Sequence, residues 1–171
     1  MLKGSVLLLF ISLLATGCMT TGQRQLHVQS PQPKRRGLLF DQQGLAWPVS
    51  GKISSSFGRR WGRRHEGIDI RAPKGTPILS ASEGRVEFTG WINGYGKTVI
   101  VAADNFKTLY AHCSSVKVSK NDYVEKGQII GSVGSTGNAV GSHLHFEYRD
   151  LDDKPYDPML FLNFDKPIAR R

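Results

Sequence analysis

Four of the chain's five histidines fall in three short stretches that otherwise read as strands or turns. His65 and Asp69 are separated by three residues in Arg64-His65-Glu66-Gly67-Ile68-Asp69-Ile70, where Gly67 permits a sharp turn, so both side chains can converge without a helix. His143 and His145 flank Leu144, and a period of two puts both imidazoles on one strand face while Leu144 and Phe146 face the core. In a third run Thr108, Tyr110 and His112 share one face, opposite Leu109, Ala111 and Cys113. Two neutral imidazoles and one carboxylate suit zinc, and a three-ligand site keeps a fourth position for water, whose pKa the metal lowers toward about 7. Histidines outside the coordination sphere can move protons and stabilise an oxyanion. A His-x-His pair or a His-x-x-x-Asp is common by chance; the weight lies in their concentration, with only His27 outside these stretches.

The elements that must position these residues are strands. Beyond Trp47 the chain breaks into short β-branched or aromatic runs punctuated by glycine, with no long helical period. The expected strands are residues 51–55, 77–81, 84–91, 98–103, 108–114, 128–133 and 143–148, with a hairpin turn at Asp104-Asn105. Lys74-Gly75 and Lys126-Gly127 each precede an apolar strand, a faint internal echo. The expected architecture is all-β, an antiparallel sandwich or partly open barrel with a groove.

The chain's 171 residues, 39% hydrophobic and 22% charged, allow one packed domain. Lys and Arg number 23 against 14 Asp and Glu, and the resulting charge of +9 favours an anionic partner: nucleic acid, an anionic membrane or an acidic wall polymer. Two cysteines, Cys18 and Cys113, exclude a disulfide scaffold and a four-cysteine zinc module. Cys113 reads as a small buried apolar side chain, and strand alternation turns it away from His112.

Lys3, the apolar run from Val6 to Leu14 and the small residues before Cys18 form a secretion signal, too short for the roughly 20 residues of a membrane span. Residues 19–46 are polar, with six Gln, Pro31, Pro33 and the basic triplet Lys34-Arg35-Arg36, and read as a tether. The folded domain is expected over 47–165 and a basic tail over 166–171.

Two resemblances sharpen this reading. Leu14-Ala15-Thr16-Gly17-Cys18 resembles a bacterial lipoprotein signal, which implies lipidation at Cys18 and, with Met19 following, an outer-membrane anchor facing the periplasm; ordinary cleavage and secretion is the alternative. Residues 47–161 resemble the lysostaphin-type, or LytM-like, zinc endopeptidases that cut the peptide part of bacterial peptidoglycan. The motifs are Trp47-Pro48-Val49-Ser50-Gly51, Ser56-Phe57-Gly58-Arg59-Arg60, His65-Glu66-Gly67-Ile68-Asp69, Gly94-Tyr95-Gly96, Tyr110-Ala111-His112, Gly127-Gln128-Ile129-Ile130-Gly131, Ser135-Thr136-Gly137 and Ser142-His143-Leu144-His145-Phe146-Glu147. The resemblance implies that His65, Asp69 and His145 hold Zn2+, that His112 and His143 are the non-ligating catalytic pair, and that the fold is the family's narrow-grooved duplicated β core. The stretch from Arg59 to Arg64 is shorter and richer in arginine than the loop common in the family, so substrate preference does not transfer.

The leading expectation is a zinc-dependent endopeptidase acting on peptidoglycan, with Arg60, Arg63 and Arg64, beside Arg59 and Arg71, available to stem-peptide carboxylates. The rival is a noncatalytic LytM-like lipoprotein that activates other cell-wall hydrolases, a partner class whose members typically lack part of the histidine set that is complete here. A nucleic-acid binder conflicts with the secretion signal and lacks aromatic stacking residues between the basic ones. Asp41, Gln42 or Gln43 can lie across the groove as a latency segment.

Overall fold

A computed structural model describes residues 44–60 and 62–163. The signal segment with Cys18, the tether through residue 43 with its proposed latency residues Asp41, Gln42 and Gln43, Trp61, and residues 164–171 with the basic tail lie outside the described residues.

The described residues hold twelve strands and one 3-10 turn, Pro158–Leu160. In chain order they are β1 (Lys52–Ser55), β2 (Gly58–Arg60), β3 (Arg63–His65), β4 (Ile68–Arg71), β5 (Pro77–Leu79), β6 (Gly84–Ile92), β7 (Gly96–Ala102), β8 (Lys107–Val116), β9 (Tyr123–Val124), β10 (Ile129–Val133), β11 (His143–Arg149) and β12 (Pro155–Tyr156). One sheet runs β1-β4-β11-β8-β7-β6-β9; β10 joins it through β8 and carries β5, β12 extends β11, and β2 and β3 form a separate hairpin. Every strand pairing is antiparallel, and β1 and β9 end the main path, so the sheet curls without closing.

The alternation that places the site is fixed by the core. Ile68 and Ile70 of β4 and Leu144 and Phe146 of β11 are completely buried, each burial contributing about 1.5–3 kcal/mol, so a slip of one residue in either strand would expose its pair to water. The intervening residues Asp69, His143 and His145 are thereby turned to the other face. In register His145 stands opposite Asp69 on one side and opposite Ala111 on the other.

Strand β8 breaks the alternation expected of it. Its first half, through Ala111, pairs with β11, and its second half, from Cys113, pairs with β10. The change of partner happens at His112, whose φ of 60° is left-handed. Such a bulge lets one strand turn a corner between two sheets and re-aims a side chain. Thr108 and Tyr110 therefore do not share a face with His112 as expected. Tyr110 lies in the core, its hydroxyl donating to Thr108 Oγ1 and accepting from Ala81 N, whereas the buried His112 ring is turned toward those of His143 and His145.

The Lys-Gly echo is a structural pairing. The strands after the two turns, β5 and β10, pair antiparallel, and their bonds are reciprocal: Gly75 N donates to Val133 O and Gly127 N to Ser80 O, while Val133 N donates to Thr76 O and Ser80 N to Gln128 O. Leu45 and Ala46, read as tether from composition, belong to the packed body: Leu45 is buried in a parallel bridge to Leu162, and Ala46 N donates to Ala81 O.

Candidate metal centre

His65 ends β3, Asp69 lies on β4 and His145 on β11, and all three are buried. Their donor atoms form a nearly equilateral triangle: His65 Nε2 to Asp69 Oδ1 3.1 Å, His145 Nδ1 to Asp69 Oδ1 2.9 Å, and His65 Nε2 to His145 Nδ1 3.0 Å. Donors at about 2.0–2.1 Å from a tetrahedral zinc sit about 3.3 Å apart, so the triangle fits that ion with small outward movement.

The outer atoms of the three side chains are occupied in a way that aims lone pairs inward. His65 Nδ1 donates to the Ser56 carbonyl at 2.8 Å, and His145 Nε2 donates to Glu147 Oε1 at 2.8 Å, which leaves Nε2 of the first and Nδ1 of the second bare toward the centre. Asp69 Oδ2 accepts from Arg60 Nη1 at 3.1 Å. Two lone pairs and a carboxylate oxygen at contact distance repel one another unless a cation or protons sit among them, and that donor set is the chemical fit for a divalent metal. The described residues contain one such His/Asp cluster.

Burial disfavours the charged form of His145, but its hydrogen bonds to Asp69 and Glu147 outweigh it and raise its pKa; burial likewise opposes ionisation of Asp69, yet the bonds it accepts from His145 and His65 hold its carboxyl well below the usual range. A metal ion held by Nδ1 would have to displace the His145 proton. Below the raised pKa that displacement costs affinity and above it nothing, so the zinc Kd is expected to rise roughly tenfold per pH unit per proton as pH falls through it, and to level off above, in chelator-competition titrations.

The other two histidines among the described residues, His112 and His143, flank the triangle. The His112 ring lies 4.8 Å from that of His143 and 5.8 Å from that of His145, centroid to centroid. His112 Nδ1 donates to the Thr136 carbonyl at 2.8 Å and His143 Nδ1 to the Gly141 carbonyl at 3.0 Å; this leaves the His112 Nε2 bare, while His143 Nε2 faces Asp69 Oδ1 at 3.7 Å. Burial, reinforced by His143 and His145, brings the His112 pKa down to about 4, so its ring is neutral at pH 7 and able to accept a proton.

Residues 63–158 match the model of peptidase family M23. The chain belongs to that family. Among curated relatives it is 43% identical over 126 residues to the cell division protein DipM of Caulobacter vibrioides, covering 69% of this chain and 21% of DipM. It is 41% identical to the DD-carboxypeptidase/endopeptidase Mpg of Neisseria meningitidis, over 65% of this chain and 27% of Mpg. It is 36% identical to the murein hydrolase activator NlpD of Escherichia coli, over 68% of this chain and 30% of NlpD. The chain thus spans between a fifth and a third of the length of these relatives. Among solved structures, the catalytic domain of the antimicrobial peptidase lysostaphin from Staphylococcus simulans superposes with a TM-score of 0.61 at 32% identity, over 64% of this chain and 90% of that domain. A zinc-containing peptidase from Vibrio cholerae gives 0.64 at 31% identity, over 72% and 41%.

The arginines of this M23 chain divide. Arg60, expected to reach for substrate, is bonded to Asp69 and Ser55 within the site. Arg63 and Arg64 are exposed on β3, with the Arg64 guanidinium 5.7 Å from the centroid of the Phe57 ring. Cys113 is buried in the core, which pushes its thiol up to about 12, far from a thiolate nucleophile.

Gly67 has a different task from the turn expected of it. A Cβ there would meet the Phe146 carbonyl oxygen at 2.3 Å and Glu147 Cγ at 2.8 Å, so its bare Cα is what lets the chain between His65 and Asp69 approach β11. Because backbone is struck, Gly67→Ala is expected to lower stability by about 1–3 kcal/mol in denaturant melts.

The sequence motifs include Tyr95, Thr136 and Glu147 but assign them no task, and Arg149 lies outside those motifs. Glu147 carried a usable signal, since the period of two that pairs His143 with His145 also includes residue 147.

Proposed function

We propose that this M23 chain is a zinc-dependent endopeptidase that hydrolyses peptide bonds in the cross-links or stem peptides of bacterial peptidoglycan. His65, Asp69 and His145 hold the metal, and His112 and His143 move the protons. The observation that carries the reading is the buried donor triangle flanked by two imidazoles, each with Nδ1 engaged by a backbone carbonyl.

When bound, zinc supplies Lewis acidity, polarising the scissile carbonyl and acidifying water at neutral pH. The bare Nε2 of one flanking histidine takes the proton of the attacking water as its oxygen bonds to the carbonyl carbon. As the tetrahedral oxyanion collapses back to a carbonyl and the C–N bond breaks, the imidazolium formed in the first step returns that proton to the leaving amine. The Thr136 and Gly141 carbonyls fix which nitrogen each ring presents. Arg63 and Arg64 reach for substrate carboxylates along β3. The same reading places the protein in the cell envelope, held by a lipid on Cys18 to the outer membrane and facing the periplasm.

The likeness to NlpD supports a second reading, in which the chain activates another wall hydrolase. The two separate when the zinc-loaded full chain is incubated with a soluble cross-linked muropeptide and no other enzyme. A peptidase releases a new amine; an activator releases none, yet accelerates an added murein hydrolase.

A further inference from the structure

The side chains beneath His145 form a bonded set that the peptidase reading leaves without a task. Glu147 is completely buried on the same face of β11 as His145, and a carboxylate at that depth is tolerated only when its oxygens are matched by donors. Oε1 accepts from His145 Nε2 at 2.8 Å and from the Tyr95 hydroxyl at 2.8 Å, and Oε2 accepts from Arg149 Nε. The outer arm of Arg149 lies 3.4 Å from the Tyr95 hydroxyl and 3.5 Å from Glu66 Oε2, and Glu66 directly follows His65.

Tyr95 is itself anchored at the far side of the site. Its carbonyl accepts the His112 N–H at 2.8 Å, at the left-handed residue where β8 changes partners. Its neighbour Gly96 packs so closely on Thr136 and Gly137 that a Cβ would meet Thr136 Oγ1 at 2.4 Å and Gly137 N at 2.6 Å. The phenol is therefore held from both ends, with little freedom to follow Glu147 if that side chain drifts.

We propose that Tyr95 is a positioning residue for the candidate metal triangle: its hydroxyl, acting through Glu147 and steadied by Arg149, holds the His145 ring with Nδ1 aimed at His65 and Asp69. The inference rests on the reading of His65, Asp69 and His145 as the metal-binding set. Glu147 alone can swing toward Arg149, whose fork offers several donors. The Tyr95 hydroxyl draws Oε1 back toward Nε2, and that bond fixes the ring plane and the tautomer that a ligating imidazole needs. Partners of this kind are typically worth roughly tenfold to a hundredfold in metal affinity.

The test compares the full chain with Tyr95→Phe, which deletes one oxygen and leaves the ring and the carbonyl. Zinc affinity is measured by chelator competition, and the His145 Nε2–H signal is followed by nitrogen-15 NMR of the zinc-loaded proteins. The expected result is a roughly tenfold weaker zinc Kd in Tyr95→Phe, with an Nε2–H signal that shifts and exchanges faster with solvent. A merely structural role would lower the melting temperature and leave that signal in place. Equal zinc affinity with an unchanged Nε2–H signal would overturn the proposal. Failure of the unsubstituted chain to bind zinc would instead overturn the metal reading beneath it. Should Tyr95→Phe not fold, the unsubstituted chain still decides: a protected Nε2–H supports the proposal and a freely exchanging one contradicts it.

Discussion

His145→Ala is expected to remove zinc binding and peptide hydrolysis together. Zinc sites that bind with about 10–16 kcal/mol across four ligands place one imidazole near 3 kcal/mol, so the affinity should fall by roughly a hundredfold or more. Hydrolysis should fall by roughly a thousandfold or more, because the several kcal/mol that a metal contributes to the transition state go with it. The substitution also strips Glu147 of one donor in a place without water, which costs about 1–3 kcal/mol of stability. Tyr95 and Arg149 still bind that carboxylate, so the variant should fold with a lowered melting temperature. Isothermal titration with zinc, a melt and a muropeptide assay on one preparation check all three. A variant that keeps wild-type zinc affinity would remove His145 from the ligand set.

Replacement of His112 should separate what His145→Ala joins. Asparagine is the informative substitute, because it tolerates the left-handed backbone that alanine would strain. His112→Asn loses the bare Nε2 and is expected to slow turnover by roughly a hundredfold to ten-thousandfold, the usual worth of a positioned general acid or base. Zinc affinity should stay within roughly twofold of the unsubstituted chain, since His112 lies outside the donor triangle. If zinc binding fell along with turnover, His112 would be a ligand and the division of the histidines into two pairs would be wrong.

The legible part of this site is the part with strict period two. Strand β11 reads directly from the sequence because Leu144 and Phe146 are committed to the core, which forces His143 and His145 to the opposite face. The same rule extended to residue 147 would have found the buried carboxylate under His145. Strand β8 defeats that rule. The left-handed turn at His112 puts Tyr110 and Cys113 in the core three residues apart, and no residue type in Tyr110-Ala111-His112-Cys113 announces the bulge. The β2–β3 hairpin was hidden for another reason: Gly58-Arg59-Arg60 and Arg63-Arg64-His65 have no apolar face, so no alternation marks them as strands. Arg60 looked like an exposed cation, and only its placement beside Asp69 shows it bonded inside the site. Tyr95 sits between two glycines, a context that signals a turn and nothing about the hydroxyl's reach to a strand 52 residues away.

In the proposed activity this chain itself breaks a peptide bond with zinc. The direct test is digestion of isolated peptidoglycan by the zinc-loaded full chain in oxygen-18 water, with fragments identified by mass spectrometry and with chelated protein and His145→Ala alongside. Cross-linked fragments should disappear only with zinc and the intact triangle, and each new carboxylate should carry one heavy oxygen, which also names the bond. A chain that binds zinc yet leaves the walls of several species uncut and unlabelled would contradict the peptidase account.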